Sequence, residues 1–225
     1  MDFFNKIPEI KLSCEGDIAA ITAVVAGKLS VAESSHDLDH TIRVMHNAEL
    51  LLAHTPGADA DTVRLSALLH DIARPEEDAG KGLCCHAELG AELSGKILLD
   101  SGVPRTVAEA VSRAIACHRF RKGAAPDSLE AQILYDADKL DSLGAVGLGR
   151  AFLFAGHCNA RLHNSEAEAL AGEPYSREDT AFREYLVKLR HVPEKMFTSE
   201  GKKIAVKRLQ FMENFFSTLE SEING

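Results

Sequence analysis

The apolar residues of this chain recur at helical spacing, and nowhere do they alternate with polar ones long enough to demand a strand. Val44, Met45, Ala48, Leu51 and Leu52 form one such series, with Arg43, Asn47 and Glu49 between them. Val63, Leu65, Ala67, Leu68 and Leu69 form a second and more fully apolar one, with Asp59 or Asp61 able to cap its start. The same spacing predicts helices over Ala87 to Leu99, closed by Ser101-Gly102, and over Val107 to Cys117, opened by Pro104. It also predicts helices over Leu129 to Leu140, with Ser128 as cap, and over Ala145 to Ala155. Residues 156–176 have poor periodicity and carry Gly172 and Pro174, which reads as a loop or lid. Two helices close the chain, at roughly Arg177 to Arg190 and Lys202 to Leu219. The expected fold class is all-α: a single domain over 1–225, with a helical-bundle core at about 20–160 and C-terminal helices at about 177–222 packed on it.

With 225 residues the chain can bury a substantial core, and 45% hydrophobic with 26% charged residues is a globular balance. No apolar run reaches transmembrane length, and the start, MDFFNKIPEIKLSCEGD, has no basic region followed by an apolar core. The expectation is a cytoplasmic protein with no membrane partner. Five cysteines, an odd number without paired spacing, fit a reducing compartment and ordinary thiols. A net charge of −9 repels phosphate backbones, and Trp is absent, so long nucleic acid is a poor partner. A small phosphorylated molecule remains compatible, because a metal and local Lys or Arg can override the net field inside a pocket.

The chemistry concentrates in three places. The apolar helix SALLHDIA ends on His70-Asp71, and charged groups there are costly unless paired or metal-bound. Upstream lies His36-Asp37-Leu38-Asp39-His40; downstream lies Asp136-Ala137-Asp138-Lys139-Leu140-Asp141 inside an apolar helical run. Imidazole and carboxylate together suit a divalent ion. A satisfied histidine at a helix end is the plain alternative for His70 taken alone.

The ordered set resembles the HD-domain superfamily of metal-dependent phosphohydrolases, whose signature is H…HD…D on a helical bundle. Carried over by position, the implied ligands are His40, His70, Asp71 and Asp138. His40 is preferred to His36 because HDLDHTIRV matches a family pattern that ends on the ligand. Asp138 is preferred to Asp136 for its A-D-K-L context. LEAQILYDADKLDSLGAVGLGRAF and MFTSEGKKIAVKRLQFMENF resemble a bacterial HD subgroup that includes nucleotide pyrophosphohydrolases.

The resemblance implies hydrolysis of a small phosphorylated substrate, a nucleotide first, by a metal-activated water. Mn²⁺, Fe²⁺, Co²⁺ or Ni²⁺ is favoured, since an octahedral ion with these four ligands keeps two free positions; Mg²⁺ or Zn²⁺ stays open. Asp71 is expected to ligate the ion and orient the water. His86 and His118 would protonate the leaving group, clamp phosphate or hold a second ion. Arg74 and Lys139 are the first candidates for phosphate binding, ahead of Lys81, Arg119, Arg121 and Lys122. Glu76 or Glu77 could act as an auxiliary base, although Arg74 stands where some relatives carry a glutamate. His46, His54, His157, His163 and His191 match no ligand position. The alternatives are a two-metal phosphodiesterase, a di-iron oxygenase and a non-catalytic nucleotide sensor. A homo-oligomer is left open.

Overall fold

The computed structural model describes residues 7–29, 38–80, 85–119 and 125–225. Among these there is no strand, and the chain forms two compact units, Met1–Asp138 and Lys139–Gly225. The all-α expectation holds. No helix among the described residues is long and apolar enough to cross a membrane.

The first unit contains α1 (Ile18–Leu29), α2 (Leu38–Leu52), α3 (Ala60–Leu69), α4 (Arg74–Ala79), α5 (His86–Asp100), α6 (Arg105–Cys117) and most of α7 (Leu129–Leu140). The unit is organised around α3, which packs against α2 and α6; α5 and α6 pair with each other. Val63, Leu65, Leu68 and Leu69 are at most 1% exposed, so α3 carries its C-terminal residues into the interior. Asp59 is its cap, accepting from the Thr62 amide at 2.8 Å.

Asp61, the other candidate cap, has a different task. Buried on α3, it accepts from the amides of Ser13 (2.9 Å) and Cys14 (2.7 Å) and fastens the N-terminal segment to the unit. Ser128 caps α7 weakly, with the Ala131 amide 3.2 Å from its hydroxyl. Two helices were not foreseen. α1, IAAITAVVAGKL, is apolar nearly all round and shows no stripe; α4 is little more than one turn, opening RP.

The second unit holds α8 (Gly144–His157), α9 (Glu166–Ala171), α10 (Ala181–Val187), a 3₁₀ helix (Leu189–Lys195) and α11 (Ser199–Asn224). The expected loop over 156–176 is corrected by α9. Its cause is a capping box: Ser165 accepts from the Glu168 amide at 3.3 Å while Glu168 accepts from the Ser165 amide at 2.8 Å. The expected helix over 177–190 is also corrected. Thr180 caps α10, which starts only at Ala181, and Pro193 lies in the 3₁₀ helix that follows.

α11 runs longer than expected at both ends; its earlier start follows from Thr198, which caps it by accepting from the Gly201 amide at 3.0 Å. Phe216 on α11 lies 4.9 Å from the Tyr185 ring and 5.2 Å from that of Phe182. The two segments that resemble the bacterial subgroup meet within this unit. Arg208 donates to the Leu140 carbonyl at 2.6 Å, and Arg150 bonds Asp141 at 2.6 Å. A cation on the last carbonyls of a helix offsets its negative end.

The hydrogen bonds from Ser13 and Cys14 outweigh the burial of Asp61 and hold its carboxyl below the usual range. A depressed carboxyl contributes stability that is present above its unfolded value and lost as pH falls through its folded one. Asp61→Ala is therefore expected to cost roughly 1–3 kcal/mol in urea unfolding at neutral pH, with the difference from wild type shrinking below about pH 4. Equal midpoints at neutral pH would contradict this role.

Candidate metal centre

The ends of helices supply most of the functional groups. His70 follows the last residue of α3 and Asp71 comes next; His118 stands in the same place after α6; His86 is the first residue of α5. His40 sits in the first turn of α2 and Asp138 in the last turn of α7. His40 and His70 are fully buried, Asp71, His86 and His118 nearly so, and Asp138 slightly open. A helix end lets a side chain project beyond the cylinder, so distant parts of the chain converge at one point.

Three of the rings have a defined orientation. His70 Nδ1 lies 2.9 Å from the Ala67 carbonyl, His118 Nδ1 2.7 Å from the Ile115 carbonyl, and His86 Nδ1 2.7 Å from Glu77 Oε2. Carbonyl and carboxylate oxygens only accept, so each Nδ1 carries a proton. In a neutral ring this leaves Nε2 as a lone pair. Burial, with His40 beside it, lowers the His70 pKa. Burial, with His70 beside it, pushes His118 down to about 3, although Asp71 and Asp138 oppose this.

These Nε2 atoms point at other electron-rich atoms. His70 Nε2 is 3.3 Å from His40 Nε2, and His86 Nε2 is 3.2 Å from His118 Nε2. Asp71 lies between the two pairs. Its Oδ1 is 3.2 Å from His86 Nε2 and 3.9 Å from His118 Nε2; its Oδ2 is 3.6 Å from His40 Nε2 and 3.7 Å from His70 Nε2. Asp138 Oδ1 is 3.5 Å from His40 Nε2.

Where two such lone pairs face each other, as at His86 and His118, a cation between them would remove their repulsion. Ligands about 2.1 Å from one ion stand roughly 3–3.5 Å from their neighbours, so the spacing fits. Two groups could each hold an ion: His40, His70 and Asp138, and Asp71, His86 and His118. All six residues expected to ligate or react are thus together, but Asp71 is shared between two groups rather than confined to the first.

Behind His86 stands Glu77, buried on α4. It accepts from Arg74 Nη1 at 2.6 Å and from Arg119 as well as from His86. Burial opposes its charge, but the bonds from Arg119 and His86 prevail and hold its pKa down at about 2. Arg74 Nε lies 3.9 Å from Asp71 Oδ2 and is buried, with no hydrogen-bond partner among the described residues. Glu76 is turned away from the centre and pairs with Lys28.

Lys139 is half-buried at the start of the second unit. His36, Lys81, Arg121 and Lys122 fall outside the described residues. His46, His54, His157, His163 and His191 belong to neither group. Sequence reasoning named Glu77 only as an auxiliary base. RPEED reads as a solvated acidic turn, and nothing in it announces a contact with His86.

The HD domain model matches residues 37–143 of this chain. The Bacillus subtilis (strain 168) protein YpgQ is 30% identical over 201 residues, covering 88% of this chain and 89% of its own. A crystal structure of a predicted HD superfamily hydrolase from an uncultured Thermotogales bacterium is 30% identical, with a TM-score of 0.66 over 91% of this chain and 92% of the other. The crystal structure of B. subtilis YpgQ in complex with ADP has a TM-score of 0.69 at 26% identity, covering 92% of this chain and 97% of the other. Likeness over nearly the whole length of these relatives, and an HD match that spans His40, His70, Asp71 and Asp138, lead to one conclusion: the chain belongs to the HD-domain superfamily.

Proposed function

We propose that this protein hydrolyses a phosphate ester or anhydride bond in a small phosphorylated molecule, with a nucleotide as the leading substrate class. The observation that carries the reading is the convergence of imidazole Nε2 atoms on the two oxygens of Asp71. His40, His70, Asp71 and Asp138 would hold the ion, with Mn²⁺, Fe²⁺, Co²⁺ or Ni²⁺ favoured. A divalent ion there supplies Lewis-acid polarisation of a phosphoryl oxygen and a water that ionises near neutral pH. The ADP bound to YpgQ supports a nucleotide.

The residues divide the remaining work. Asp71 can orient a water with whichever oxygen does not ligate. Arg74 is placed to meet phosphate charge, since among the described residues its Nε has no hydrogen-bond acceptor and it lies near Asp71. Lys139 is a second candidate, on its adjacency to Asp138 in sequence. His118 is a poor general acid. Its ring stays neutral down to about 3, and its Nδ1 proton is engaged by the Ile115 carbonyl. This favours a second reading, in which Asp71, His86 and His118 hold a second ion and the protein is a two-metal phosphodiesterase.

Substrates screened with Mn²⁺, Co²⁺, Ni²⁺ and Mg²⁺, with products scored as phosphate, pyrophosphate or a cleaved diester, should reveal metal-dependent turnover. Ligand binding without turnover under every metal would instead favour a sensor, and turnover requiring oxygen and iron an oxygenase. Asp71→Asn should retain a helical circular dichroism spectrum, lose bound metal and lower turnover by roughly three orders of magnitude. The exposed His54→Gln should match wild type in both. Undiminished turnover by a metal-replete Asp71→Asn protein would sink the assignment.

A pH experiment on the metal-free protein checks the role of His118. Its imidazole resonances should show no protonation from about pH 8 to about pH 5, whereas a midpoint near 6.5 would restore it as a proton donor. Unfolding releases a ring that binds a proton below about 6.5, so the unfolded state carries more protons there. The metal-free protein should accordingly lose stability as pH falls through that range.

A further inference from the structure

We infer that Glu77 is a positioning residue that fixes the His86 tautomer against a competing guanidinium, an inference that rests on the metal-binding reading of the His86 group. The geometry is a contest for one nitrogen. Among the described residues, His86 Nδ1 has two polar neighbours outside its own ring: Glu77 Oε2 at 2.7 Å and Arg119 Nη1 at 3.3 Å. They demand opposite things of it. A carboxylate can only accept, so it calls for the proton on Nδ1. A guanidinium can only donate, so it calls for a lone pair on Nδ1 and sends the ring proton to Nε2.

Only the first arrangement leaves Nε2 free as a ligand toward the Asp71 side, where Asp71 Oδ1 and His118 Nε2 each lie 3.2 Å away. Glu77 prevails because it occupies the shorter contact and gives Arg119 an acceptor of its own. Arg74 holds Oε2 from another side and ties the carboxylate to the helix that carries it. One buried carboxylate thus turns two nearby arginines into its own supports and keeps their donors from reversing His86. Carboxylate–histidine pairs of this kind orient metal ligands in general, and losing one typically lowers affinity 10–100-fold.

The test uses the full chain with Mn²⁺ alone and has two readouts. The first is the ¹⁵N imidazole spectrum of the metal-free protein, with the His86 signals assigned by their absence from His86→Gln. Wild type should show the proton on Nδ1. Glu77→Ala should move it to Nε2, and so should Glu77→Asp, which keeps the charge but withdraws it by one methylene. The second readout is Mn²⁺ titration by calorimetry. Both variants should lose roughly 10–100-fold in affinity at the Asp71–His86–His118 group while keeping the His40–His70–Asp138 group.

Glu76→Ala removes the neighbouring carboxylate and should leave both readouts unchanged. The inference is overturned if His86 keeps its Nδ1 proton in Glu77→Asp or Glu77→Ala, or if Glu76→Ala has the same effect. If wild type binds no Mn²⁺, the metal reading itself fails, and the tautomer of the metal-free ring still decides the role of Glu77. Should Glu77→Ala not fold, Glu77→Asp carries the test.

Discussion

Everything in the first unit answers to one carboxylate. Asp71 is 2% exposed and has an imidazole nitrogen within 3.6 Å of each of its oxygens. A charge so far from water needs cationic company. The guanidinium of Arg74 lies 3.9 Å off and is shared with Glu77. Burial lowers the pKa of His70 and of His118, which makes these two imidazoles poor sources of that charge. A bound cation would supply it, and α3, packed against α2 and α6, carries the His-Asp pair at its end.

This dependence explains what the sequence made legible. SALLHDIA betrays the centre because an apolar run that ends in His-Asp has no structural reason to do so. α3 proves to be nearly all interior, which is why the signal was clean. Asp138 was legible for the same reason, as an acid inside an apolar helix. α1 was not, because a helix apolar on every side lacks the stripe that marks helical period. The capping box that creates α9 was readable as Ser165 and Glu168, but weak apolar periodicity masked it.

Glu77 marks the limit of reading from sequence. Its partners are His86, nine residues on, and Arg119, 42 residues on. No local pattern encodes that meeting; it arises when α4, α5 and the end of α6 come together. Likewise, sharing of Asp71 between two groups was invisible, because a one-dimensional motif assigns a ligand to one site. In the second unit, by contrast, the two segments with family likeness proved to be partners through Arg208 and the Leu140 carbonyl. Likeness at separated stretches of a chain can report a contact between them.

The placement of the ligands at helix ends bears on how the protein is made. His40 lies early in the first unit and Asp138 is its last residue. Along the chain the Asp71–His86–His118 group is complete at residue 118, and the group around His40 only at residue 138. An ion held by the His40–His70–Asp138 group would therefore close a loop across most of the unit. Metal binding at that group would in this way couple the folding of the unit to its metal content.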